Sequence, residues 1–484
     1  VQQNKAGVQK LYKRFGLFSI VLILSSTLLN ASGSFENFKR SQAKSFKNYK
    51  DERDTAFNKY LKAEWKSYSK QKSFDLYEQP KPTKIPKAKP HEIEKVGPKV
   101  NIKVPKPKDA KKPQAKQIII VKKIKPSDIE FDFFGTRLGF NISQDIKSAS
   151  FYPRDQEGII NFFDSLAASE YVQLLEDIKN VKKDLNLNDW GLYLLVHELS
   201  KRVYNIEDNS KLLSWFIFNK LGYAVKIGLV DKHVVLLHYS EKIIYSTPSY
   251  SFANKKFYAI SKYAKGHLGR LYSYEQNYPG SDKPLDLSLN TLPKFTQNTQ
   301  DKELGFKDFK VSIKYNQNII DFMGTYPQAD YDTFFNAPMQ KDTYEQLAVA
   351  IKKYVDGKKT SEALNFVLHF VQKSFEYQRD EEQFGREKVM FAQEALYYDK
   401  SDCEDRAVLF SYLVKKLFKI GVLGVKYKDH MATALYIPMS GDSVKAGSKR
   451  FVIADPTYIN SNIGQSMPKY RPIKPQSFIM VNKN

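Results

Sequence analysis

The chain holds a single cysteine, Cys403. It stands in Ser401-Asp402-Cys403-Glu404-Asp405-Arg406-Ala407, ahead of an apolar run reaching Phe418. Ala407, Phe410, Val414 and Leu417 recur at helical spacing, and Ser401 or Asp402 can act as N-cap. Cys403 is therefore expected in the first turn of a buried helix, where the partial positive charge favours a thiolate. Asp402, Glu404 and Asp405 oppose that, because neighbouring negative charge disfavours another anion. A cationic partner is needed, and His430 can supply it. It opens the strand-like Met431-Ala-Thr-Ala-Leu-Tyr-Ile437, after the strand-like Gly421-Val-Leu-Gly-Val425. An imidazole facing the thiol can take its proton and leave a nucleophilic ion pair. Asp455, closing Arg450-Phe-Val-Ile-Ala-Asp455 before Pro456, can fix the tautomer of that imidazole.

Each residue alone has an ordinary use. A lone cysteine is usually a small buried hydrophobe, a lone histidine is usually structural, and Asp before Pro often only starts a turn. Taken in order, the three residues predict a Cys-His-Asp triad. The residues Asp-Cys-Glu-Asp-Arg-Ala at 402–407, His430, and Ala-Asp-Pro-Thr-Tyr at 454–458 resemble the transglutaminase-like superfamily of the papain-like cysteine enzyme group. The flanks Phe375-Glu-Tyr-Gln-Arg-Asp-Glu-Glu-Gln-Phe-Gly385 and Tyr458-Ile-Asn-Ser-Asn-Ile-Gly464 are similar to bacterial members. The motif-bearing resemblance covers 341–484, and a weaker one starts near Ile129.

The resemblance implies acyl transfer through a cysteine thioester, ending in hydrolysis or transamidation of an amide or peptide bond. It implies Cys403 as nucleophile, His430 as general base and acid, and Asp455 as its orienter. Members that crosslink glutamine often carry Trp soon after the histidine. Here the run is His430-Met-Ala-Thr, so hydrolysis is favoured. The Cys403 backbone N–H is one oxyanion donor, and Gln383 or Tyr377 is the side-chain candidate. No cofactor and no metal is expected, since no HExxH motif is present and one cysteine cannot build a cysteine-based zinc cluster. Asp405 and Arg406 read as an ion pair, and Glu381-Glu382 as solvated. Two non-catalytic alternatives stand beside the enzyme: an inactive binding or scaffold protein of the cell envelope, and a tethered structural protein with a docking head.

The elements that would hold these residues give an α+β fold: a cysteine-bearing helix packed on an antiparallel sheet, over 341–484. Helices are expected at 343–355 and 361–375. A second α+β region, 127–275, repeats the order helix, two strands, further strand over 208–261. It reads either as a degenerate copy of the catalytic unit or as a chance recurrence of a common pattern. In the copy, Ser210 takes the cysteine position, His233 the histidine position, and Ile260-Ser261 replaces Asp-Pro. The strand-rich 276–340 connects the two. In it the alternation of Phe309-Lys-Val-Ser-Ile-Lys-Tyr315 predicts a hairpin with Ile319–Met323. The aromatic-rich 325–335 reads as core packing or as the lining of a site entrance.

With 484 residues and 42% hydrophobic content, the chain can build a sizeable core. The net charge of +24 sits mostly in the N-terminal quarter, so nucleic-acid binding is not expected. Residues 1–33 read as a secretory signal or, uncleaved, an N-terminal anchor: Lys10, Lys13 and Arg14, an apolar run to Leu29, then Ala31-Ser32-Gly33. The bulk is therefore expected to be exported, periplasmic or in the cell envelope, with a protein or peptide substrate there.

Residues 34–79 read as an amphipathic helix. Phe35, Phe46, Phe57 and Tyr68, and likewise Phe38, Tyr49 and Tyr60, recur every 11 residues. That stripe could face a partner, a membrane surface, a second copy in a coiled coil, or the downstream domain. Residues 80–126 carry nine of the 21 prolines together with 15 lysines. They read as an extended solvated linker, or one attracted to a membrane or anionic envelope surface, with a strand at Gln117-Ile-Ile-Ile-Val121.

Overall fold

Two antiparallel sheets, each with a long buried helix against it, carry the α+β architecture of this computed structural model, which describes residues 52–89, 91–104, 127–260 and 268–481. One unit comprises Ala56–Asn484; of the other, Val1–Thr55, only residues 52–55 are described, and these are helical. No helix among the described residues is long and apolar enough to cross a membrane. The apolar segment within 1–33 lies outside them.

The first sheet holds β1 (Lys66–Tyr68), β2 (Val225–Val230), β3 (His233–Tyr239), β4 (Ser249–Phe252), β5 (Lys255–Tyr258) and β6 (Leu271–Ser273), in the order β1-β6-β2-β3-β5-β4. The second holds β7 (Val422–Lys426), β8 (Met431–Leu435), β9 (Ser443–Ala446), β10 (Lys449–Ala454) and β11 (Ser477–Met480), in the order β11-β7-β8-β10-β9. Helix α1 (Glu207–Lys220) precedes β2 as α2 (Cys403–Phe418) precedes β7. Leaving β1 aside, the two orders are the same, and so is the register. Val225↔His238 matches Val422↔Leu435, and His238↔Tyr258 matches Leu435↔Val452. Ser249↔Tyr258 matches Ser443↔Val452, and Leu229↔Tyr272 matches Lys426↔Ser477. Agreement of register across five strands goes beyond a shared helix–strand–strand pattern, so the internal repeat is present in the fold.

That register puts His233 at the place of His430, as the sequence predicts, and Ile260 at that of Ala454, one residue short of the Asp455 place the sequence reading gives it. It also corrects the place of Ser210. Carried into the helices without a gap, the register puts Ile206 opposite Cys403, with Glu207-Asp208 opposite Glu404-Asp405. Ser210 sits further along α1, where its buried hydroxyl donates to the Glu207 carbonyl at 2.8 Å.

Three other expectations change. The predicted helix of 34–79 runs only to residue 62 among its described part. Phe57 and Leu61 are buried, and the Phe57 ring lies 5.2 Å from those of Phe163 and Tyr278, so this part of the stripe packs on its own chain. Trp65 ends the helix by donating its indole N–H to the Leu61 carbonyl at 3.0 Å, and Tyr68 belongs to β1 instead. Phe35, Phe38, Phe46 and Tyr49 lie outside the described residues.

The described part of the Pro/Lys-rich segment is not a free linker. Its prolines lack donors, but the N–H groups between them find partners: Ala88 donates to the Ile459 carbonyl and Val100 to that of Lys358, each at 2.8 Å. Leu76, Ala88 and Ile102 are buried, and Lys84, Lys87 and Lys89 stay in solvent. Residues 105–126, with the expected strand at 117–121, lie outside the described residues.

In the connecting region, Phe309–Asn316 pairs with the preceding strand Thr299–Phe306, and Gln317–Gly324 is a helix. Asn316 caps that helix, and Ile319, Ile320, Phe322 and Met323 lie on its buried face, so a helical period prevails where alternation stops. Helices Lys341–Val355 and Thr360–Lys373 fall where the spacing predicts them.

Candidate active site

Asp402 is the N-cap of α2, and Cys403 is its first residue, as the sequence predicts. The helix is buried on nearly all sides, so Cys403 is 0% exposed. His430 precedes β8 and Asp455 follows β10, two strands that are neighbours in the sheet. Strand pairing thus joins residues 25 positions apart. The Asp455 carboxylate meets His430 Nε2 at 2.9 Å. Its other oxygen accepts the N–H groups of Thr457 at 2.9 Å and Tyr458 at 3.2 Å, which fixes the carboxylate at the Asp-Pro turn. Tyr470 stacks on the imidazole, with centroids 4.6 Å apart. His430 Nδ1 is buried and has no hydrogen-bond partner among the described residues.

The thiol is not bonded to that nitrogen. It donates to Glu404 Oε2 at 3.1 Å, and the Tyr77 hydroxyl lies 3.9 Å from Sγ while donating to the same carboxylate at 3.0 Å. Burial, then the charges of Glu404 and Asp402, push the thiol pKa well above its ordinary value. The thiol is protonated in this arrangement. Helix α2 packs against both β7 and β8, and Cys403 and Asp455 both raise the pKa of Tyr470, whose largest influences are burial and Asp429. Thiol and imidazole therefore share one buried neighbourhood.

Five carboxyl groups crowd the start of α2: Asp380, Glu387, Asp402, Glu404 and Asp405. Lys81 sits among them, with Nζ 3.1 Å from Asp380, 2.6 Å from Glu387 and 2.8 Å from Glu404, and paired with Asp402 as well. Burial raises the pKa of Asp402 and Asp405 well above the carboxylate range, reinforced by Asp380 and Glu404. Asp380 is pushed up to about 6 and Glu387 to about 7, again by burial first. For Glu404 burial is also the largest influence, but Lys81 and the hydrogen bonds from Asp402, Lys81 and Cys403 outweigh it and hold the group down at about 2. Asp380, Glu387, Asp402 and Glu404 are close enough to share a cation, and the ammonium of Lys81 occupies that role.

The two side-chain oxyanion candidates separate. Tyr377 donates its hydroxyl to the Pro82 carbonyl at 2.7 Å, and burial pushes its pKa up. Gln383 has a buried Oε1 without a hydrogen-bond partner and is not brought to the thiol by any contact among the described residues. Arg406 is buried but not paired with Asp405. It donates to Ser401 Oγ at 3.1 Å and the Phe375 carbonyl at 2.8 Å, while Asp405 accepts the Met390 and Asp402 N–H groups at 2.8 and 3.1 Å. Glu381 and Glu382 are exposed, as expected.

Sequence reasoning missed Tyr77, Lys81, Asp380 and Tyr470. Lys81 is one of 15 lysines in its segment, and nothing in its local sequence sets it apart. Tyr331, from the aromatic-rich stretch, is buried beside Tyr77, with ring centroids 6.4 Å apart. In the repeat, His233 is largely exposed and faces Asp208 at 3.4 Å, with no thiol at the corresponding helix start. No protein-family model, no curated protein and no solved structure matches this chain.

Proposed function

We propose that the chain is an exported cysteine enzyme of the transglutaminase-like, papain-like kind, acting on amide or peptide bonds of a cell-envelope protein or peptide. The observation that carries this reading is the His430–Asp455 pair. One ring nitrogen is committed to a carboxylate at 2.9 Å and the other is buried with no hydrogen bond, near the start of the cysteine helix. A carboxylate on Nε2 holds the proton there and leaves Nδ1 basic, the tautomer a thiol needs.

In the proposed mechanism, Nδ1 takes the Cys403 proton and Sγ attacks the carbonyl carbon. Asp455 stabilises the imidazolium, and the oxyanion faces the Cys403 N–H and the Tyr377 hydroxyl. The imidazolium then protonates the leaving amine, and water, deprotonated by the same imidazole, releases the acyl group. Hydrolysis is favoured over transamidation because no Trp follows His430 in 431–433. Membrane or anionic-surface attachment through 1–126, and a catalytic lineage for both halves of the repeat, belong to the same proposal.

A second reading, an inactive binding or scaffold protein, draws on the sealed thiol that donates to Glu404 instead of His430. Iodoacetamide separates the two. A catalytic Cys403 alkylates with a pH profile that moves in His430→Ala, and an inert binding module gives one profile for both. An activity-based thiol probe, followed by proteomics of the parent against Cys403→Ser, then identifies the substrate.

A further inference from the structure

Residues 76–88 form a strap across the candidate site. Glu78 and Gln79 donate their N–H groups to the Lys428 carbonyl at 3.0 and 3.3 Å, two residues from His430. Tyr77 lies over the thiol. The Pro82 carbonyl accepts from Tyr377, the better placed of the two oxyanion candidates. Ala88 pairs with Ile459, just past the Asp455 turn. The strap thus touches the flanks of all three triad residues, and Cys403 and His430 are both 0% exposed beneath it.

Building on the reading above, we propose that the strap is an intramolecular substrate mimic, and that the carboxylate pocket around Lys81 is the subsite for a lysine or arginine side chain of the peptide this enzyme acts on. Three features converge. A proline-containing, irregular backbone runs through the cleft with its Pro82 carbonyl held by the Tyr377 hydroxyl at 2.7 Å. A lysine from that backbone inserts into the pocket, its side chain 1% exposed. The pocket also has acceptor capacity to spare, because Asp380 Oδ1 is buried with no hydrogen-bond partner among the described residues. A guanidinium brings five donors where an ammonium brings three, so arginine can use that oxygen. When the strap leaves, the pocket loses the Lys81 ammonium, and its carboxyl groups then either take up protons or accept another cation. The thiol is held protonated against Glu404 while the strap is down, which keeps the mimic uncleaved.

The test uses the full chain, whose single thiol makes labelling unambiguous. Tyr77→Ala lifts the cover and keeps the Lys81 charge. Its alkylation by iodoacetamide should exceed that of the parent by about 100-fold, the scale of a local opening equilibrium. A synthetic peptide of residues 76–88 should slow the variant again, and the same peptide with norleucine for Lys81 should not. Peptidyl acyloxymethyl ketones bearing lysine or arginine should label the variant about tenfold faster than the norleucine form, a modest difference in binding energy.

Equal alkylation of parent and variant overturns the strap as a cover, and equal behaviour of lysine and norleucine probes overturns the cationic subsite. If Tyr77→Ala does not fold, the lysine-to-norleucine labelling ratio on the parent chain decides the matter. Failure of the enzymatic reading gives a different signature: peptide protection persists, but His430→Ala in the Tyr77→Ala background leaves the alkylation rate unchanged.

Discussion

Changing Asp455 in two ways separates its structural work from its chemical work. Its carboxylate accepts from Thr457 N and Tyr458 N through one oxygen and meets His430 Nε2 through the other, at 2% exposure. Asp455→Ala removes all three contacts and leaves the Thr457 N–H and one ring nitrogen unsatisfied, while the Tyr458 N–H keeps the residue-455 backbone carbonyl at 3.3 Å. At about 1–3 kcal/mol for each buried donor left without a partner, a loss of about 2–6 kcal/mol is expected. Asp455→Asn can keep its carbonyl oxygen on the two backbone N–H groups, so its cost should stay near 1 kcal/mol. Its amide nitrogen then faces Nε2 and can only donate. The ring proton must move to Nδ1, where it blocks transfer from the thiol.

A thiol at an ordinary pKa of about 8.5 is about 3% ionised at pH 7, and Glu404 and Asp402 hold Cys403 above that, so without the base alkylation should fall at least roughly 30-fold against a fully formed ion pair. Urea unfolding gives the first quantity. Iodoacetamide kinetics at pH 7 in the Tyr77→Ala background give the second. An Asn variant that alkylates as fast as its parent, or an Ala variant equally stable, would refute the assignment of Asp455 as the group that sets the tautomer.

Glu404→Gln removes the charge that holds the thiol proton, so the midpoint of alkylation against pH should move down; a midpoint that stays put or rises would remove Glu404 from the account. Asp380 and Glu387 carry pKa values raised from 3.8 and 4.5 to about 6 and about 7, so the folded chain binds protons more tightly than the unfolded one between these limits. Stability should therefore rise as pH falls from about 7 towards 4.5, and thermal melts of Glu387→Gln should show a smaller rise over that window. Phe57→Ala should cost about 3–5 kcal/mol, since the ring is fully buried among Phe163, Trp215, Tyr274 and Tyr278; a melt unchanged by this substitution would show that the N-terminal helix contributes nothing to the fold.

Local pattern alone was enough for the helix that begins at Cys403, for the strands ahead of His430 and Asp455, and for the order shared by the two halves. These features rest on periodicity, capping and chain order, which a one-dimensional string carries. The same string misplaced Ser210 by aligning composition, where strand register assigns that place to Ile206. It also read Phe309–Tyr315 as pairing forwards with a segment that folds as a helix.

The larger difference lies at 76–88. Proline and lysine content predicts an extended, solvated chain, but residues 76–88 bend along the folded body, which offers acceptors for their N–H groups and carboxylates for one lysine. Which of many similar lysines is buried depends on where Asp380, Glu387, Asp402 and Glu404 meet, and two separate segments, 380–387 and 402–404, converge to make that pocket. The protonation state of Cys403 follows from the same convergence. The residue types needed for a nucleophile are present in the sequence, but burial, Glu404 and the Tyr77 cover decide whether the sulfur is free to act, and these are distances across the fold that no spacing along the chain encodes.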